Sequence, residues 1–218
     1  MEVTIPPQPR IDDRLVDAFS SIGTGQLGVT RPTFGASKAW LAHLDLVKHI
    51  YQSGLESALI LEDDADWDIA IRAQMANVSA GVRNLTAAED SESSPFGSAW
   101  DILWLGHCRE EITDWTERVV FEDVNVVPHE NHEGLGTESL ARLPPSSRAV
   151  FPTTNPLCTF AYGISRAGAG RIIDVMGAGE GEAFDVQMMI NCQHGIFRCV
   201  SVYPELSTEV PLSRWLSH

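Results

Sequence analysis

Ala58-Leu59-Ile60-Leu61-Glu62-Asp63-Asp64-Ala65-Asp66-Trp67-Asp68 is the stretch on which the fold of this chain turns. Its first four residues are an all-apolar run, bounded upstream by Gly54 and downstream by acids. Such a run reads as a buried strand of the kind found in parallel sheets covered on both faces. Five acids then fall within seven residues, 62–68. In open α/β sheets, ligands gather at the carboxyl ends of strands. Carboxylates this close repel one another unless protons or a cation neutralise them. A hard divalent ion held by oxygens does so and keeps positions open for a phosphate-bearing ligand. Asp64-Ala65-Asp66 is a literal Asp-x-Asp, and Glu62-Asp63-Asp64 overlaps it as a second acid-x-acid. The plainer alternative is a solvated turn that ends in a helix cap.

Working outward, Trp40, Leu44, Val47 and Tyr51 recur at helical spacing, widened by Leu41 and Ile50. This predicts a helix with Ser37 as N-cap and Gly54 as its stop. Residues 69–82 read as a second helix capped by Asp68, and 86–99 as a polar surface loop. Residues 100–106 and 160–164 read as further strands. Ser165 caps a helix that runs to Met176 and stops at Gly177. A helix over 186–191 and a strand over 197–202 follow. Residues 1–34 form an irregular N-terminal segment with one short helix around Leu15, Val16 and Phe19. Residues 107–157 read as a long loop-rich insertion carrying His129 and His132, with one strand over 118–121. The alternation predicts one α/β domain spanning 1–218, a Rossmann-type sandwich with a mostly parallel central sheet and no internal repeat.

Composition narrows the partners. Lys+Arg is 15 and Asp+Glu is 30, a formal charge of −15, so nucleic acid and anionic membrane surfaces are poor partners. No stretch approaches the roughly 20 apolar residues of a membrane helix. Met1-Glu2-Val3-Thr4-Ile5-Pro6-Pro7 has neither a basic nor an apolar leader region, which predicts no signal peptide. The compartment stays open: the cytoplasm for the chain as it stands, the secretory pathway if an upstream part is missing. Cys108, Cys158, Cys192 and Cys199 form no Cys-x-x-Cys pair. They are either four buried thiols or two disulfides, with three connectivities open. Asn77-Val78-Ser79 and Asn84-Leu85-Thr86 are sequons that matter only in the secretory pathway.

Several ordered blocks carry a resemblance. Residues 59–68, Leu-Ile-Leu-Glu-Asp-Asp-Ala-Asp-Trp-Asp, resemble the acidic motif of glycosyltransferase family 25, especially its fungal members. Trp100-Asp101-Ile102-Leu103-Trp104-Leu105-Gly106-His107-Cys108 is similar to the family's next block. Residues 35–43 resemble its Gly-rich segment, here ending in Ala42-His43. Cys158-Thr159-Phe160-Ala161-Tyr162-Gly163-Ile164-Ser165 resembles its Cys-to-Ser block, and Asp185 falls where the family has a late acid. Cys192 and Cys199 also fit the fungal pattern, and the likeness spans roughly 35–204.

The resemblance implies a GT-A-like fold and a metal-dependent enzyme that transfers galactose or glucose from a UDP-sugar to a glycan or protein-linked acceptor, with inversion. The cation would be Mn²⁺ or Mg²⁺, with Asp64 as first ligand and Asp66 or Glu62 assisting. His43, Glu62 and Asp63 would then line the donor site, and Asp185 would be the base; its plainer role is to cap the following helix. Trp67, Trp100 and Trp104 are either a sugar platform or core. The likeness has gaps. Nothing before Gly35 resembles the family's opening strand and basic turn. Residues 205–215 hold no histidine where the family's tail is His-rich, leaving His218 and, more weakly, His194 as substitutes. The chain thus reads as short at both ends. Two other functions fit parts of the pattern: a non-catalytic relative that binds sugar or protein, and a phosphohydrolase with Asp64 as nucleophile and Asp66 as general acid.

Overall fold

The computed structural model describes residues 10–22, 31–132, 135 and 137–209. In chain order the elements are α1 (Asp13–Ser20), α2 (Phe34–Ser53), β1 (Ser57–Leu61), β2 (Ala65–Trp67), α3 (Ile71–Leu85), β3 (Ile102–Gly106), β4 (Val119–Glu122), β5 (Ser147–Pro152), β6 (Ala161–Ser165), α4 (Arg166–Met176), α5 (Phe184–Gln193), β7 (Cys199–Tyr203) and β8 (Ser207–Glu209). Short 3₁₀ turns at His129–Asn131 and Thr137–Arg142 lie between β4 and β5.

Side-chain alternation along the central strands builds the layers. Ile102 and Trp104 of β3, with Tyr162 and Ile164 of β6, face a cluster formed by Val16, Trp40, Leu44, Val47, Ile172 and Met188 of α1, α2, α4 and α5. Leu103 and Leu105 point the other way, toward Val150, Val200, Val202 and the α3 residues Val78 and Val82. At Gly81, midway along α3, a Cβ would stand 2.8 Å from Cγ2 of Val150, so the helix seats on β5 only with glycine there. A third cluster, Ile112, Leu140 and Leu143, covers Ala149, Phe151 and Tyr203. The architecture is α/β, with helices on both faces of a central sheet.

The six-stranded sheet has the order β1-β6-β3-β7-β5-β4, and β2 pairs with β8 in a separate ribbon. The expected mostly parallel sheet is not what forms. Among the described residues only β3–β7 is parallel; β1–β6, β6–β3, β7–β5 and β5–β4 are antiparallel. A continuous apolar run reports burial on two faces, and β6 is buried along its length while antiparallel to both neighbours. β1, β3 and β7 run in one direction, so their carboxyl ends share one edge with the amino end of β6.

Local expectations shift in four places. α2 begins a turn earlier than Ser37: Thr33 is its N-cap, and its Oγ1 accepts a hydrogen bond from the Ala36 N–H at 3.2 Å. Gly54 ends it in the left-handed conformation, φ 75°. β1 is an edge strand among the described residues, and only Ile60 of it is buried. Asp68 does not cap α3, whose N-cap is Ala70; its carboxylate instead accepts the Ala70 N–H at 2.8 Å and leaves the turn for a buried arginine. Finally, the span read as loop from 122 to 157 contains β5, a strand inside the main sheet. Among the described residues no helix is long and apolar enough to cross a membrane. The N-terminal residues 1–9 and 23–30 and the tail that carries His218 lie outside the described residues.

Candidate functional site at the carboxyl edge of the sheet

The shared edge gathers the polar residues. Pairing of Leu61 with Ala161 brings the residue after β1, Glu62, beside the residues before β6. The Glu62 N–H donates to the Phe160 carbonyl at 2.9 Å, and the Thr159 hydroxyl donates to Glu62 Oε1 at 2.7 Å. From α2, the His43 ring reaches the same carboxylate, its Nε2 standing 3.5 Å from Oε1. His43 Nδ1 lies 3.0 Å from the Tyr162 hydroxyl. Burial, reinforced by the Glu62 charge, pushes the Tyr162 hydroxyl well above its usual range. The phenol therefore keeps its proton, and in a neutral ring that presents Nε2–H to Glu62 it is Nδ1 that accepts from the Tyr162 hydroxyl. The hydrogen bond from His43 holds the Glu62 carboxyl below its usual range; burial opposes this and the Thr159 hydroxyl adds to it.

Asp185 joins this group through the chain neighbour of Thr159. The Cys158 N–H donates to Asp185 Oδ2 at 3.0 Å. Asp185 sits in the first turn of α5, whose N-cap is Ala183 without a side-chain cap, so the carboxylate is committed to Cys158 and not to the helix end. The preceding residue, Phe184, stacks on the His43 ring at 4.7 Å with an interplanar angle of 6°. Cys158 is disulfide-bonded to Cys108, which follows β3, and Cys192 pairs with Cys199. Of the alternatives open for the cysteines, two disulfides form.

The acidic turn is anchored at both ends. Glu62 is taken up by His43 and Thr159. Asp68 Oδ2 accepts from Gln74 Nε2 at 2.7 Å and lies 3.3 Å from the Arg148 guanidinium of β5. Arg148 also donates to Asp123 Oδ2 at 2.6 Å and to the Pro204 carbonyl at 2.7 Å. Between these anchors, Asp63 and Asp66 are exposed, and Asp66 accepts the Trp67 N–H at 2.9 Å while its carbonyl accepts the Ser207 hydroxyl at 2.7 Å. Asp64 differs from both: its Oδ1 is buried with no hydrogen-bond partner among the described residues.

A lone buried carboxylate oxygen fits a cation ligand. Among the described residues no three His, Cys, Asp or Glu side chains converge to hold a metal by themselves. Ions of the Mg²⁺ type are held by one or two carboxylates and complete their shell with water and substrate phosphates, so Asp64, with the exposed Asp66 two residues on, is the residue that would hold one.

The tryptophans separate. Trp100 and Trp104 are core residues, 2% and 0% exposed, and their indole N–H groups donate to the Gly97 and Cys158 carbonyls. Trp67, 52% exposed on β2, is the one of the three at the surface. His194 is exposed at the C-terminal cap of α5.

Four polar residues at or near this edge were not legible as such in the sequence: Thr159, Tyr162, Arg148 and Glu205. Glu205 accepts from His132 at 3.1 Å and follows the Tyr203-Pro204 pair at the end of β7. An arginine flanked by apolar strand residues, Ser147-Arg148-Ala149-Val150-Phe151, was the available signal for the buried ion pair. No protein-family model matches the chain. No curated protein sequence matches it significantly.

Proposed function

We propose that this chain is a metal-dependent glycosyltransferase that moves a hexose, galactose or glucose, from a UDP-sugar to a glycan or protein-linked acceptor with inversion. The observation that carries the proposal is the buried Oδ1 of Asp64, without a hydrogen-bond partner among the described residues, on an acidic turn fixed at Glu62 and Asp68. Layered helices on both sides of the sheet support the GT-A-type fold that goes with it.

Mn²⁺ or Mg²⁺ bound through Asp64, with Asp66 assisting, would offset the charge that develops on the departing diphosphate. Glu62, oriented by His43 and Thr159, holds the turn in place. Asp185 is the base for the acceptor hydroxyl proton. The Cys158 N–H engages one of its oxygens and leaves the other for that proton. Trp67, exposed on the same turn, offers an apolar face to a sugar ring.

A non-catalytic relative that binds sugar or protein is the second reading, favoured by the exposed indole of Trp67, which needs no metal to hold a sugar ring. Incubation with UDP-galactose or UDP-glucose, an acceptor mixture and Mn²⁺ separates the two. The proposal expects UDP release that a chelator abolishes and that Asp64→Asn and Asp185→Asn each remove. No UDP release from either donor by the folded chain overturns the first reading and supports the second.

A further inference from the structure

α3 carries both Asn-x-Ser/Thr triplets, Asn77-Val78-Ser79 and Asn84-Leu85-Thr86. The two asparagines are seven positions apart, so the helix sets them on one face, about two turns or roughly 10 Å from each other. Both are exposed, on the flank of the helix next to the stripe of Gln74, Val78, Gly81 and Val82 that is buried toward the sheet. Neither triplet has proline in its middle or following position, and none of the other four asparagines has Ser or Thr two places on.

Short triplets arise by chance; the pairing of every cysteine is a separate observation. Cys108–Cys158 and Cys192–Cys199 leave no free thiol. Disulfides form and persist in oxidising compartments, and asparagine triplets are modified in that same secretory environment. We propose that Asn77 and Asn84 are N-glycosylated, so that the exposed flank of α3 bears two N-linked oligosaccharides.

The chemistry needs a polyprenyl-diphosphate-linked oligosaccharide as co-substrate. The side-chain amide nitrogen forms a bond to the anomeric carbon of the first N-acetylhexosamine. The bond from that carbon to the diphosphate oxygen breaks, the amide gives up one proton, and the lipid diphosphate leaves. In the folded chain the Ser79 hydroxyl donates to the Pro95 carbonyl and the Thr86 hydroxyl to the Val82 carbonyl. Both hydroxyls are thus engaged once α3 has formed, so transfer precedes folding of this helix.

The test is a peptide map of the full chain isolated from its own cells, before and after an amidase that releases N-glycans. After treatment, Asp is expected in place of Asn at 77 and 84, with a fall in apparent mass of the intact chain. Asn77→Gln and Ser79→Ala, expressed in the same cells, are each expected to remove the first glycan, and Asn84→Gln the second, while Thr86→Ser keeps it. Isolated chain with unmodified asparagine at both positions overturns the proposal. That outcome is independent of UDP release, so failure here and failure of the transferase proposal are distinguishable.

Discussion

His43 Nε2 lies 3.5 Å from Glu62 Oε1, and through that contact helix α2 fixes the entry of the acidic turn. The ring does three things at once: it takes the Tyr162 hydroxyl on Nδ1, faces Glu62 with Nε2 and stacks on Phe184. His43 is buried and holds Glu62 from the side of α2.

The Glu62 carboxyl is held below its usual range, first by the hydrogen bond from His43. A depressed folded pKa makes the contact's contribution present above the unfolded value and lost as pH falls through the folded one. Glu62→Gln removes this dependence. Thermal unfolding of the two proteins from about pH 7 down to about pH 3 should show a shallower acid decline in the variant. His43→Ala strands the Tyr162 hydroxyl, leaves Glu62 with the Thr159 hydroxyl alone and removes the ring stacked on Phe184, and should cost about 2–3 kcal/mol in denaturant unfolding.

At the other end of the turn, Arg148 is 3% exposed and serves both Asp123 and Asp68. Replacing it leaves two carboxylates without their cation in a dry site. Arg148→Met should therefore destabilise by about 3–5 kcal/mol, whereas adding Asp123→Leu should recover part of that loss. Urea midpoints of the wild type, the single variant and the double variant measure both effects.

The Cys108–Cys158 bridge closes a loop between residues 50 apart, against 7 for Cys192–Cys199. Loop-closure entropy assigns the longer bridge about 4 kcal/mol and the shorter one about 2–3 kcal/mol. Cys108→Ala/Cys158→Ala should lower the melting temperature more than Cys192→Ala/Cys199→Ala. If the proposed transferase reading holds, it should also lower UDP release beyond its effect on folding, because the Cys158 N–H holds Asp185.

His132 and Glu205 form a second buried pair, which ties the His129–Asn131 turn to the end of β7. The hydrogen bond to Glu205 raises the His132 pKa against the opposing effect of burial. Its contribution is full below the unfolded value of 6.5 and is lost as pH rises through the folded one. Stability measured across about pH 6 to 9 should fall less steeply in His132→Gln than in the wild type.

Local pattern made the central layers legible. The helical stripe of Trp40, Leu44 and Val47 and the uninterrupted runs at 102–105 and 161–164 report burial directly, and α2, β3, β6 and α4 follow from them. β5 escaped because Arg148 interrupts its apolar pattern, and its charge is neutralised by residues 25 and 80 positions away. Strand direction escaped for a related reason: it depends on which neighbour a strand pairs with, which periodicity does not record. In the site, the clustering of acids was visible, but their division was not. That Glu62 and Asp68 serve as anchors while Asp64 keeps a partnerless oxygen depends on Thr159, His43 and Arg148 arriving from distant elements.

The measurement closest to the central claim is a calorimetric titration of UDP into the protein, with and without Mn²⁺, repeated on Asp64→Asn. The account predicts UDP binding that requires the metal and weakens by at least about tenfold in the variant, roughly 1.4 kcal/mol of binding free energy. The variant should unfold at the same denaturant concentration as the wild type or a slightly higher one, because one repelling carboxylate has gone. No binding of UDP or Mn²⁺ at millimolar concentration by the folded wild-type chain, or identical metal-dependent binding by Asp64→Asn, would contradict it.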